Sequence, residues 1–214
     1  MNSMTHWFYG FCKIVLWIFF RVRYGLQVRG QDQVPARGAF ILASNHISYL
    51  DPPLLGAACG RRLSFMARTS LFGHVFLGAF LRAVHVIPLR RGEGDLSAIR
   101  EAVRRLQRGE AVAIFPEGGR QLSGALGSAK RGVGLLAATA RVPIVPAVVS
   151  GTDEALPPGA KGLRRAKIRV AFGLAIPYTM ALALSHGTPA RDHHQALADA
   201  VSREWRRLGE SLRS

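Results

Sequence analysis

Short stretches dominated by apolar residues recur along this chain, and they limit its fold more than any other feature. The strongest are residues 39–43 (AFILA), 111–115 (AVAIF) and 144–149 (IVPAVV); 26–28, 63–66, 84–89 and 168–172 are similar. Apolar runs of this length without polar alternation are the pattern of strands covered on both faces. Between them lie helical patterns. Leu96, Ile99, Val103 and Leu106 recur at steps of three and four, with arginines elsewhere on the wheel. Residues 130–141 read as a helix of small residues suited to close packing on a sheet. Leu197, Val201, Trp205, Leu208 and Leu212 form a last stripe, which either docks on the body or touches a membrane. Strands alternating with helices imply an α/β fold: a single domain with a mostly parallel central sheet covered by helices on both faces. The 214 residues suffice for one such domain.

In sheets of this kind, sites gather at the carboxyl ends of strands. The polar motifs of this chain lie there. Asn45 to Asp51 follow AFILA, Arg90 and Arg91 follow residues 84–89, and residues 116–120 follow AVAIF. His46 leaves its strand five residues before Asp51, which precedes Pro52 and Pro53. A residue before proline is pushed out of helical geometry, and proline favours the first helical position, so Asp51 is expected to cap a helix starting at Pro52. Such a turn can fold the Asp51 carboxylate back toward the His46 ring. A carboxylate on one ring nitrogen fixes the tautomer and leaves the other nitrogen free to take a proton. A lone His and Asp at this spacing more often serve a purely structural turn.

Residues 7–20 (WFYGFCKIVLWIFF), followed by Arg21 and Arg23, form the other outstanding segment. As a helix these residues reach about 21 Å at ~1.5 Å per residue, short of the ~30 Å hydrocarbon core. Their aromatic rings suit the headgroup boundary, and Lys13, Arg21 and Arg23 suit anionic phosphates. The expectation is an N-terminal membrane-interfacial (monotopic) helix over 1–23, with a single span or a helix buried in the core as alternatives. The whole chain carries 29 Lys and Arg against 13 Asp and Glu, a net charge of +16. That surplus points to an anionic partner: a membrane surface, phosphorylated substrates or nucleic acid.

With four blocks in view, the chain resembles the glycerolipid acyltransferases of the bacterial 1-acylglycerol-3-phosphate type. NHISYLDP (45–52) matches their N-H-x-x-x-x-D-P block, VIPLRRGEGD (86–95) the second, FPEGGR (115–120) their F-P-E-G-x-R, and VPIVPAVV (142–149) the fourth. The resemblance covers most of the chain, and it implies an acyltransferase domain over 24–214. It implies His46 as catalytic base, Asp51 as its orienting partner, and Asn45, Glu117, Gly118, Arg120 and Lys130 at the substrate site. Arg91, in preference to Arg90, would bind the substrate phosphate, as a planar guanidinium can. Gly119 departs from the pattern, which usually has Thr there. The implied reaction moves a fatty acyl group from acyl-CoA or acyl-carrier protein to the sn-2 hydroxyl of 1-acyl-glycerol-3-phosphate, giving phosphatidate. Glycerol-3-phosphate, another lysophospholipid or a lyso-aminolipid are alternative acceptors. The implied location is the cytoplasmic face of the cell membrane, with anionic phospholipid as partner.

Two cysteines, Cys12 and Cys59, have neither disulfide nor metal-ligand spacing, and Asp192-His193-His194 stands at a helix start. Without H-E-x-x-H, C-x-x-C or a Gly-rich phosphate loop, no metal and no nucleotide cofactor are expected. A non-catalytic basic protein would need arginines interleaved with exposed aromatics to hold nucleic acid, whereas here the arginines follow buried strands. No nucleic acid partner is therefore expected.

Overall fold

The computed structural model describes residues 3–89, 96–121, 125–180 and 190–213. Its strands are β1 (Gln27–Arg29), β2 (Phe40–Ser44), β3 (Leu63–Arg68), β4 (Ile87–Leu89), β5 (Ala111–Ile114), β6 (Ile144–Ser150) and β7 (Arg169–Phe172). They form one sheet in the order β1-β7-β6-β2-β5-β3-β4. Strands β2 to β6 run parallel to one another, while β7 lies antiparallel on β6 and β1 lies parallel to β7. This is the single α/β domain with a mostly parallel sheet that the apolar runs implied.

The period of two in β2 assigns the faces. Ile41 and Ala43 point into one core with Ala102 of α4 (Leu96–Gln107), Val133 and Leu136 of α5 (Gly132–Ala140), and Leu197, Val201 and Trp205 of α7 (Ala190–Arg213). Phe40 and Leu42 point into the other, with Leu54 and Leu55 of α2 (Asp51–Ala58) and with Phe20 and Tyr24 of α1 (Ser3–Tyr24). All five β2 side chains, Ser44 included, are fully buried, so the strand has no solvent-facing side. The α7 stripe docks on the body: Trp205 is buried, and its indole N–H donates to the Ala43 carbonyl at 3.0 Å, beside the strand that leads into the His46 loop.

Two local expectations differ from the structure. The strand expected over 84–89 begins only at Ile87, because Val84 and His85 form the turn after α3 (Val75–Ala83), a helix the apolar pattern did not separate from its neighbours. After β6 the chain turns through Gly151 into the short α6 (Thr152–Ala155). Asp51 does not cap α2: Leu50 holds that position, and Asp51 is the first helical residue.

The N-terminal helix is half anchored. Its last turn enters the core through Phe20 and Tyr24, and Lys13 donates to the Cys59 carbonyl at 2.7 Å. On the other side of the helix, Trp7, Phe11, Ile14, Ile18 and Val22 stand exposed along one stripe.

Candidate active site

Because β2 lies between β5 and β6, the segments leaving these three strands are neighbours at the same end of the sheet. Asn45 and His46 leave β2, Phe115 to Glu117 leave β5, and Gly151 with Thr152 leave β6. Asn45 ties two of these exits together. Its side-chain amide donates to the Val149 carbonyl at 3.0 Å, and its oxygen accepts the Val149 N–H at 2.8 Å. With both groups committed and the residue buried, Asn45 is a clamp between β2 and β6.

His46 Nδ1 lies 2.8 Å from Asp51 Oδ2. The same oxygen accepts the backbone N–H of Ile47 at 2.7 Å and of Ser48 at 2.8 Å, so the carboxylate closes the loop it terminates. The opposite oxygen accepts the Thr152 hydroxyl at 2.5 Å. Asp51 is fully buried, and these four contacts fix its carboxylate in place. The imidazole stacks on Phe115, with ring centroids 4.2 Å apart and planes 22° from parallel. The His46 side chain keeps 18% of its surface exposed, and Nε2 has no hydrogen-bond partner among the described residues. One nitrogen is held by a carboxylate, the ring plane is set by a phenyl, and the other nitrogen is available for a proton.

Glu117 supports this loop from β5. Oε2 accepts the His46 backbone N–H at 2.7 Å and Oε1 accepts the Gly127 N–H at 2.9 Å. The Gln121 N–H completes the link by donating to the His46 carbonyl at 2.8 Å. Burial pushes the Glu117 carboxyl above its usual range, against the lowering effect of those two N–H groups. Where a substrate contact was expected, the carboxylate spends both oxygens on backbone. Gly118 turns the chain with φ of 79°, and a Cβ there would meet the Lys130 ammonium at 2.8 Å. Lys130 is thus packed over Gly118, while its N–H donates to the Pro116 carbonyl at 2.9 Å.

Arg120 lies over the ring of Tyr49, 3.7 Å from its centroid, and donates to the phenolic oxygen at 3.1 Å. Tyr49 stands inside the 45–52 motif, so this stack brings a guanidinium to the rim of the His46 loop. The structure therefore gathers Asn45, His46, Asp51, Glu117, Gly118, Arg120 and Lys130. Arg90 and Arg91 fall outside the described residues. Sequence reasoning missed Thr152, Phe115 and Tyr49 as parts of the site. Thr152 had only its place after β6 as a signal, since a hydroxyl that reaches back across the sheet leaves no trace in local spacing. Among the described residues, no group of three or more His, Cys, Asp or Glu could hold a metal ion.

Residues 25–150 match the family model described as Acyltransferase. The chain is 26% identical over 205 residues to the 1-acyl-sn-glycerol-3-phosphate acyltransferase of Bacillus subtilis, covering 95% of this chain and 98% of that protein. It is 35% identical over 138 residues to the human 1-acyl-sn-glycerol-3-phosphate acyltransferase alpha, covering 61% of this chain and 48% of the relative. It thus spans nearly the whole of the bacterial relative and about half of the human one. The crystal structure of the 1-acyl-sn-glycerophosphate acyltransferase from Thermotoga maritima shares the fold, with a TM-score of 0.75 at 22% identity over 96% of this chain and 79% of that one.

Proposed function

Because this chain belongs to the acyltransferase family, we propose that it transfers a fatty acyl group from an acyl thioester to the sn-2 hydroxyl of 1-acyl-glycerol-3-phosphate, giving phosphatidate. The observation that carries the chemistry is the fixed His46–Asp51 contact at 2.8 Å, on a ring that keeps part of its surface exposed. In this reading Nε2 accepts the proton of the sn-2 hydroxyl as its oxygen attacks the thioester carbonyl carbon. The C–S bond then breaks, and the departing thiolate takes the proton back from His46. Asp51 stabilises the imidazolium between these steps, a form of general base help contributing ~10²–10⁴-fold. No side-chain nucleophile is needed, because the acceptor brings its own hydroxyl.

The acceptor phosphate would meet Arg120 at the loop rim and, following the resemblance of the second block, Arg91. The stack of Arg120 on Tyr49 favours a phosphorylated acceptor over a lyso-aminolipid. The donor is acyl-CoA or acyl-carrier protein, a substrate rather than a resident cofactor.

The protein would work from a membrane surface. The exposed stripe of Trp7, Phe11, Ile14, Ile18 and Val22 supports an interfacial α1, and among the described residues no helix is long and apolar enough to cross a membrane. Arg21 and Arg23 would lie at the headgroups of an anionic leaflet, which fits the cytoplasmic face.

The test is an acyltransfer panel read by mass spectrometry. Lysophosphatidate, glycerol-3-phosphate, lysophosphatidylcholine and a lyso-aminolipid are each offered acyl-CoA or acyl-carrier protein. Phosphatidate from lysophosphatidate as the dominant product supports the reading. A dominant product from another acceptor, or no acylation with either donor, overturns it.

A further inference from the structure

Helix α3 is built the wrong way round for a core helix. Its sequence is VFLGAFLRA, and its one buried residue is Gly78. Val75 is 78% exposed and Phe76 91%, with Leu77 and Phe80 exposed beside them. Gly78 is what lets the helix close on the preceding turn, because a Cβ there would meet the Phe72 carbonyl oxygen at 2.3 Å. The helix therefore packs with its smallest residue and presents its largest. Four large apolar side chains held outward on one short helix mark an interaction surface rather than a misplaced core.

This surface continues that of α1. Phe80 meets Phe8 edge-on, with ring centroids 6.5 Å apart, beside the stripe that starts at Trp7. The charge around both helices is one-sided. Residues 1–31 and 52–92 hold four and six Lys or Arg and not a single Asp or Glu, although the chain has 13 acids in all. Arg68, at the end of β3, and Arg82, in the last turn of α3, are exposed. Two copies meeting through this face would bring like charges together, whereas an anionic bilayer neutralises them.

We propose that α3 is a second membrane-inserting element. Its Val75–Phe76 end enters the acyl boundary of an anionic bilayer beside α1, while Arg68 and Arg82 meet lipid phosphates. This rests on the membrane-surface reading above and adds to it a distinct second anchor, downstream of the catalytic loop in sequence. Two contacts, one on each side of the His46 loop in the chain, would fix the tilt of the domain as well as hold it at the surface.

The full chain is compared with a Val75→Asp, Phe76→Asp double variant and with a Trp7→Asp, Ile14→Asp variant of α1. The probes are phosphatidylcholine vesicles with and without phosphatidylglycerol. Sedimentation gives the partition, light scattering the oligomeric state, and acylation of soluble short-chain lysophosphatidate the integrity of the site. The α3 variant should lose partition to anionic vesicles by at least about tenfold, as expected for removing a buried Phe and Val from the acyl region. Its melting temperature and its activity on the soluble acceptor should be unchanged. Unaltered partition in the α3 variant, alongside a loss in the α1 variant, overturns the proposal and leaves the membrane reading standing. A wild-type chain that binds neither vesicle sinks both. A wild-type dimer that becomes monomeric in the α3 variant with vesicle binding intact assigns the face to a second copy and overturns the proposal.

Discussion

Replacing Thr152 with Val isolates one hydrogen bond of the site without changing side-chain shape. The Thr152 hydroxyl donates to Asp51 Oδ1 at 2.5 Å, and both residues are fully buried. Valine leaves that oxygen facing a methyl group where no water replaces the donor. A bond to a charged group is worth about 1.5–3 kcal/mol, and stranding the buried acceptor falls in the same range. For a domain of this size each kcal/mol shifts the melting temperature by about 2–4 °C, so a fall of roughly 3–12 °C is expected. Asp51 Oδ2 stays tied to the N–H groups of Ile47 and Ser48, so the loop should survive. If the lost support is felt in full as the imidazolium forms, kcat falls by about tenfold to a hundredfold, at tenfold per ~1.4 kcal/mol. KM for the acceptor should hold, because Thr152 lies behind the carboxylate. Thr152→Ser restores the hydroxyl and should recover most of the rate. The assay follows thiol release from acyl-CoA with lysophosphatidate, beside a thermal melt. A Val variant with wild-type kcat and melting temperature, or one changed only in KM, would refute the reasoning.

Further outcomes follow from neighbouring residues. Glu117→Gln places an amide N–H against the Gly127 or His46 N–H, so stability should drop by about 1–3 kcal/mol in thermal melts, with a loss of kcat. Burial raises the Glu117 carboxyl in the folded protein, so its contribution is full below the usual carboxylate range and declines as pH rises through the folded value. The gap in melting temperature between wild type and Glu117→Gln should accordingly narrow as pH rises above the usual carboxylate range, and a widening gap would contradict this. Asn45→Asp removes the donor to the Val149 carbonyl and should cost about 1–3 kcal/mol in a denaturant titration. Tyr49→Ala frees the Arg120 guanidinium; a lost exposed cation–π contact of ~0.5–1 kcal/mol should raise KM for lysophosphatidate about two- to fivefold with kcat nearly unchanged.

The sheet was legible because a strand buried on both faces leaves an unbroken apolar run, as at 39–43 and 111–115. The carboxyl-end rule put the motifs at 45–52 and 115–120 at one end of the sheet, and the strand order then makes β2 and β5 neighbours. The His46–Asp51 pairing was legible from spacing, whereas the way Asp51 is held was not. Its carboxylate folds back onto the N–H groups of Ile47 and Ser48 rather than capping α2, since Asp51 is itself the first helical residue and Pro52 and Pro53 after it offer no N–H. Thr152 lies 101 positions from Asp51, and Glu117 acts on the His46 backbone across 71. Contacts of that reach depend on strand order, which residue patterns do not encode. Helix α3 escaped notice for a different reason. Its apolar residues look like core in a linear reading, and only the exposure of Val75 and Phe76 reveals which way they point.

The central claim is that His46 is the base, and one substitution addresses it most directly. His46→Ala, purified and checked for an unchanged melting profile, is assayed with acyl-CoA and lysophosphatidate at saturating substrate. The account predicts a fall in kcat of about 10²–10⁴-fold, the usual share of a positioned general base. Activity within a few-fold of wild type would contradict it.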